Sequence, residues 1–429
     1  MPDVYADGVI AGAIESHLGE TAFAYDPAWL KSPAGFPLSL SMPLSAREWG
    51  PDVILPWLMN LLPEGAPLRA LTRALGASAE DVLALITASG GDLAGAFSIR
   101  APAGPARTEL IRDEAALERI LNELPARPFL VGEQGVAMSL AGAQEKLPVV
   151  FESGAFYIPV NGAASTHILK PDTANLPGSV QNEALCMQLA RRCGLNVADA
   201  TTGTAGDRSY LLVTRCDRVR KDGAVRRIHQ EDFCQALGRP PGAKYEHNQT
   251  GIPGPSLAEM FALIREHMTA RDINRFLDAV IFNIAIGNVD SHAKNYSILL
   301  QPGRVELAPL YDLMSGLAWA NITENHAQSV GGQRRGRYVF RRHWQRLGEA
   351  AGLSAPALLR RVVSLCDRIA AKLPGAREDV IAMPAGKGVL LDTFCTEIAA
   401  RVTTVRFNAG TDEPDDRPDR PEGIDPKEG

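Results

Sequence analysis

Apolar and polar positions follow two different rhythms along this chain, and each change of rhythm predicts a change of architecture. Residues 1–125 mix short period-two runs with helical stretches and read as an N-terminal α/β unit. Pro102, Gly104 and Pro105 punctuate it, and a charged helix over about 113–124 closes it. In 126–216 the runs Val149-Val150-Phe151, Phe156-Tyr157-Ile158 and Ile168-Leu169 read as short strands around turns. Asn182 opens a helix in which Leu185, Leu189 and Cys193 recur at helical spacing, and Gly194 stops it. A further strand over 210–215 runs into a connecting segment at Thr214, Arg215 and Cys216. From Gln230 onward the pattern is mostly helical. Ile273, Phe276, Leu277, Val280, Ile281 and Ile284 line one face of a helix ending at Gly287, and 355–375 and 388–403 supply further helices. The expected fold class is α+β, with units at 1–125, 126–216 and 217–408 and a tail at 409–429.

Composition changes this picture mainly at the C-terminus. With 429 residues and 45% hydrophobic content, the chain can bury more than one core. No apolar run approaches the ~20 residues that span a bilayer, and Met1-Pro2-Asp3 starts no signal-peptide pattern. A cytoplasmic protein without a membrane partner is expected. The six cysteines, at 186, 193, 216, 234, 366 and 395, show no C-x-x-C spacing and read as reduced thiols. The stretch 411–429 holds eight acidic and three basic residues, so it carries −5 of the net −6. Rich in proline and poor in apolar residues, it is expected to be disordered. The near-neutral remainder argues against strong nucleic-acid binding by this chain alone. Arg334-Arg335-Gly336-Arg337, with Arg341 and Arg342, reads as a solvated basic face.

The candidate chemistry lies in Gly287-Asn288-Val289-Asp290-Ser291-His292-Ala293-Lys294-Asn295 and the later Leu310-Tyr311-Asp312. An Asp with an Asn five residues on, and a second Asp ending an apolar run, has the spacing of a kinase catalytic loop. There one carboxylate faces the substrate hydroxyl while the amide and the later carboxylate hold magnesium. The competing reading is a polar turn, since Asn, Asp and Ser gather in loops anyway. Upstream features come in the order a kinase needs. The small-residue loop 139–146 enters an apolar strand, the strand before Lys170 ends in a cation, and a hinge follows at 214–216. Together they predict a two-lobed, protein-kinase-like fold with an added N-terminal subdomain.

The blocks Phe23-Ala24-Tyr25-Asp26, Pro37 through Leu44, Asn60-Leu61-Leu62-Pro63-Glu64-Gly65 and Gly91 through Ala96 precede that loop. Asn182 through Cys186, Gln230 through Gly238 and Lys244-Tyr245-Glu246 follow it. In this order they resemble the HipA family, the serine/threonine-kinase toxins of bacterial HipBA toxin–antitoxin modules, nearly to residue 407. The resemblance implies ATP and Mg²⁺ as cofactors and Asp290 as catalytic base, with Asn295 and Asp312 as metal ligands. It implies nucleotide contacts from Ala141, Gly142, Ala143, Gln144, Glu145, Lys146, Lys170, His292, Ala293, Lys294, Asn295, Tyr311 and Asp312. The adenine would be read by Thr214, Arg215 and Cys216, the last a position where the family often has an aromatic residue. Lys170 would meet the α/β-phosphates, with Glu183 as its candidate ion-pair partner across a short gap, and Lys294 would neutralise the γ-phosphate. Ser139 matches the serine whose autophosphorylation ejects the loop and silences the kinase. The implied partners are a HipB-like helix-turn-helix antitoxin, through which alone DNA is met, and a protein substrate, an aminoacyl-tRNA synthetase, whose modification arrests growth. Two other readings remain at this point: a small-molecule kinase on the same fold, and a nucleotide-binding pseudokinase serving as corepressor.

Overall fold

A computed structural model describes residues 2–17, 20–99 and 104–411. Its first layer is an antiparallel sheet of β1 (Asp3–Ala6), β2 (Val9–His17), β3 (Glu20–Tyr25), β4 (Glu48–Trp49) and β5 (Phe97–Ser98), in the order β4-β3-β2-β1-β5. Alternation in β3 turns Phe23 and Tyr25 inward, against Trp57, Leu85 and Ile99. Four helices cover this face: α1 (Pro27–Lys31), α2 (Pro51–Met59), α3 (Gly65–Leu75) and α4 (Val82–Ser89). Asp26, expected within the first block, caps α1 by accepting from Ala28 N at 2.7 Å.

The second sheet holds β6 (Arg107–Leu110), β7 (Leu147–Glu152), β8 (Ala155–Val160), β9 (His167–Pro171), β10 (Ala200–Ala205) and β11 (Arg208–Thr214). Its order is β10-β11-β9-β7-β8-β6. Here the structure departs from the expected division at 125. Strand β6 pairs with β8, and α5 (Glu114–Glu123) sends Leu117 and Leu121 into the core of this sheet, beside Leu147, Leu169 and Leu212. The first core ends at Ile99. Behind the sheet runs α6 (Ser179–Arg192), which begins three residues before the expected Asn182. Gly178 caps it with φ 76°, and a Cβ there would press to 3.3 Å from the Phe394 ring.

A hairpin of β12 (Arg218–Lys221) and β13 (Ala224–Arg227) leads into the third unit. This lobe is less purely helical than its periodicity predicts. At the Gln230 block the chain forms β14 (His229–Asp232), which pairs with β15 (Ser297–Gln301), itself paired with β16 (Arg304–Leu307). A second hairpin joins β17 (Asn325–Val330) and β18 (Gln333–Arg335). Around them stand α7 (Phe233–Ala236), α8 (Leu257–His267), α9 (Ala270–Ile286), α10 (Arg341–Ala350), α11 (Ala355–Ile381) and α12 (Leu391–Ala409). Phe261, Phe276, Phe282, Trp344 and Phe394 build the core between them. The expected tail lies outside the described residues beyond 411. Among the described residues no helix is long and apolar enough to cross a membrane, and all six cysteines are free thiols.

Helix α9 is what delivers the loop of interest. Its apolar face packs into the core, and it stops at Gly287, which adopts φ 69° and turns its N–H back onto the helix carbonyls. A Cβ at Gly287 would sit 2.4 Å from the Leu317 side chain, so both the turn and the packing require glycine.

Candidate active site

Between the second sheet and the third unit lies a cleft of ≈540 Å³. Leu140, Ile168 and Val213 form an apolar wall, while Lys170, Asp290, Asn295 and Asp312 supply charge and polarity. Lys170 is buried near the end of β9, and its ammonium reaches Glu183 Oε1 of α6 at 2.7 Å and Asp312 Oδ1 at 2.8 Å. Burial disfavours that ammonium, but the two carboxylates outweigh burial and raise its pKa. Burial likewise opposes charge on Asp312, yet Lys170 and then Lys146 hold its carboxyl well below the usual range. Asp312 also occupies the left-handed backbone region at φ 56°, uncommon for a residue with a Cβ.

The catalytic-loop candidates stand opposite. Asp290 opens its side chain to solvent at the mouth of the cleft, while its backbone carbonyl accepts from Asn295 Nδ2 at 2.8 Å and His292 N at 2.7 Å. His292 is buried, its ring edge-on to Tyr245, and its Nδ1 has no hydrogen-bond partner. Burial holds its pKa well below the ordinary value, so the ring is neutral. The Tyr311 hydroxyl donates to Lys294 O at 2.9 Å and shares a hydrogen bond with Ser297 Oγ at 2.6 Å, tying the two segments together.

The loop 139–146 packs above the cleft. Gly142 takes φ 107°, and a Cβ there would lie 2.7 Å from Lys146 Nζ. Glycine thus lets that ammonium fold back onto Ala141 O at 2.6 Å. Burial, then the charge of Lys170, lowers the Lys146 pKa to about 8. Ala143, Gln144 and Glu145 line the same opening. Ser139 is wholly buried and donates to Leu61 O at 2.8 Å. At the hinge, Thr214 N and Arg215 N donate to Asp199 O and Thr166 O, whereas no backbone acceptor among the described residues meets the Cys216 N–H. The Arg215 side chain is buried at the edge of the cleft. It joins a buried network with Asp217, Ser165 and Asp92, into which Arg218 and Arg227 also reach.

Residues 2–100 match the family model of the HipA N-terminal domain, and residues 138–373 that of the HipA-like C-terminal domain. The chain belongs to the HipA family. It is 32% identical to the serine/threonine-protein kinase toxin HipA of Shewanella oneidensis, over 84% of this chain and 84% of that protein. Its identity to the Sinorhizobium fredii protein Y4mE is 38%, covering 95% of this chain and 98% of that one. A solved Shewanella oneidensis complex of HipA, HipB and operator DNA includes a chain with TM-score 0.81 and 27% identity, covering 95% of this chain and 99% of that one.

In this HipA-family chain the N-terminal domain reaches into the cleft through sequence blocks that local reasoning left without a role. Lys294 is buried, and its ammonium lies 2.6 Å from Asn60 Oδ1, 3.0 Å from Asn60 O and 3.2 Å from Asp232 Oδ2. This differs from the expected approach to a γ-phosphate, since the charge is engaged by the N-terminal domain and by β14. Glu64 pairs with Lys244 at 2.7 Å, and its N–H donates to Gly142 O at 3.0 Å. Ser39 Oγ and Leu40 N donate to Glu231 at 2.5 and 2.8 Å. Asn60, Glu64, Asp232, Lys244 and Tyr245 are therefore site residues that carry no signal beyond their presence in those blocks.

The donor set suits magnesium brought in with a nucleotide. No group of three or more His, Cys, Asp or Glu that could hold a metal unaided occurs among the described residues. Mg²⁺ instead accepts one or two protein oxygens and completes its shell with phosphates and water. With its Nδ2 engaged on Asp290 O, Asn295 keeps its Oδ1 as a hard donor, alongside the ionised Asp312.

Proposed function

We propose that this chain is an ATP- and Mg²⁺-dependent serine/threonine protein kinase, the toxin of a type II toxin–antitoxin pair. The observation that carries this reading is the convergence of Asp290, Asn295 and Asp312 on one cleft with the buried Lys170–Glu183 pair. Lys170, oriented by Glu183, binds the α/β-phosphates, and the loop 141–146 covers them. The apolar wall and the Cys216 N–H receive the adenine. Asn295 and Asp312 would hold Mg²⁺, which when bound neutralises phosphate charge. Asp290 accepts the proton of the substrate hydroxyl as its oxygen bonds to the γ-phosphorus. The bridging oxygen leaves with its electron pair on ADP.

The related complex of HipA with HipB and operator DNA supports an antitoxin partner, which we take to be a small helix-turn-helix protein through which alone DNA is met. A cytoplasmic setting and an aminoacyl-tRNA synthetase as protein substrate, with growth arrest as the outcome, complete the proposal. The test is transfer of label from γ-labelled ATP, with Mg²⁺, to protein of a cell lysate and to the chain itself. Label on a synthetase supports the whole reading, label on small molecules alone turns it toward a small-molecule kinase, and no label in either leaves a pseudokinase.

A further inference from the structure

The middle residue of the block Lys244-Tyr245-Glu246 touches the residue proposed as base. The Tyr245 hydroxyl donates to Asp290 Oδ1 at 2.5 Å, a short charge-assisted hydrogen bond. We propose that Tyr245 is a positioning residue for Asp290, holding one carboxylate oxygen so that the other, Oδ2, is presented to the hydroxyl that receives the phosphoryl group. The inference rests on the kinase reading above and deepens it.

The Asp290 backbone is already fixed by Asn295 Nδ2 and His292 N, so the freedom left at this residue is rotation of its side chain. The terminal torsion of an aspartate is broad, and the carboxylate stands at an exposed loop tip. Without a partner it would sample many orientations, whereas Tyr245 selects one. No protein group among the described residues bonds Oδ2.

Tyr245 is itself held from every side. Lys244 Nζ pairs with Glu64 of the N-terminal domain at 2.7 Å, and Lys244 O accepts from Ala293 N and Gln328 Nε2, each at 3.2 Å. Glu246 N donates to Ala327 O at 3.0 Å, and Glu246 Oε2 accepts from Ser329 Oγ at 2.8 Å. The His292 ring packs edge-on to Tyr245 with centroids 5.3 Å apart. A donor anchored to the N-terminal domain, the catalytic loop and β17 is rigid enough to define an angle. Burial and the Asp290 charge raise the phenol pKa above its ordinary value, so it stays a donor. A hydrogen bond to so exposed a carboxylate adds little stability, because water can replace it. Its effect falls on orientation, which matters when a proton must leave along one line.

The experiment uses Tyr245→Phe in the full chain, which keeps the ring against His292 and beneath the Lys244 ammonium. Maximal label transfer from γ-labelled Mg-ATP to lysate protein is expected to fall about tenfold, part of what a well-placed base contributes. KM for ATP, calorimetric ATP affinity and melting temperature should stay unchanged. In an Asp290→Asn background, Tyr245→Phe should have no further effect, since the oxygen it positions no longer takes the proton. A Tyr245→Phe rate within twofold of the native chain overturns the proposal, and so does a loss shared equally by ATP affinity or melting temperature. Native-level transfer by Asp290→Asn alone would overturn Asp290 as the base, and this inference with it, whereas no transfer by the native chain would overturn the kinase reading itself.

Discussion

The Lys294 ammonium, in the catalytic loop, is held 2.6 Å from Asn60 Oδ1 in the N-terminal domain. The same six-residue block also holds the loop above the cleft, through Leu61 O to Ser139 Oγ and Glu64 N to Gly142 O. One short segment therefore sets the relative position of the two loops that must meet across a nucleotide. Asn60→Ala leaves a buried ammonium with fewer partners and removes the donations from Asn60 Nδ2 to Pro56 O and Arg239 O. A loss of about 2 kcal/mol is expected, typical of hydrogen bonds to a charged group, read as a shift in the denaturant midpoint.

The two aspartates should separate by phenotype. Asp290→Asn is expected to cut phosphotransfer by about two orders of magnitude or more while leaving the melting temperature in place, because the residue is exposed at a loop tip. Asp312→Ala should instead abolish the Mg²⁺ dependence of ATP binding, since it removes the carboxylate that lines the same cleft as Asn295. Calorimetric titrations with and without Mg²⁺ check this, and equal magnesium dependence in both proteins would refute it.

Ser139 cannot carry a phosphate where it stands. It is fully buried with its hydroxyl on Leu61 O, and phosphorylation adds about −2 charge and three oxygens that need solvent or cations. Modification therefore requires the loop to leave the N-terminal domain, exposing 139–146. Incubation with Mg-ATP should yield a singly phosphorylated, less active chain, and Ser139→Ala should block both changes. Mass spectrometry locates the phosphate, and hydrogen exchange over 139–146 should rise once it is present.

Glu231 supplies a pH dependence. Burial raises its pKa to about 8 against the opposing hydrogen bonds from Ser39 and Leu40. A carboxyl harder to ionise when folded contributes stability that is complete below 4.5 and is lost as pH rises through about 8. Melting temperature should therefore decline across that window. Glu231→Gln, which keeps a hydrogen-bonding amide there without a titrating proton, should flatten this part of the curve. Parallel pH profiles for the two proteins would show that Glu231 does not titrate in this range.

What the sequence determined by itself is what a single stretch of chain can encode. The repeat of Ile273, Phe276, Val280 and Ile284 predicts α9, Gly287 predicts its end, and the spacing from Asp290 to Asn295 places both on one short loop, because each feature depends on neighbours a few residues away. Tertiary structure decided the rest. Strand β14 was legible only as part of a helical region, because its pairing partner β15 lies beyond α8 and α9. Residues 107–123 joined the second sheet because apolar positions such as Leu117 found their partners there. The turn of Lys294 toward Asn60 and the hydrogen bond from Tyr245 to Asp290 follow no local period. Each links segments far apart in the chain, and its energy arises only when folding brings a buried charge or an exposed carboxylate beside a group able to satisfy it.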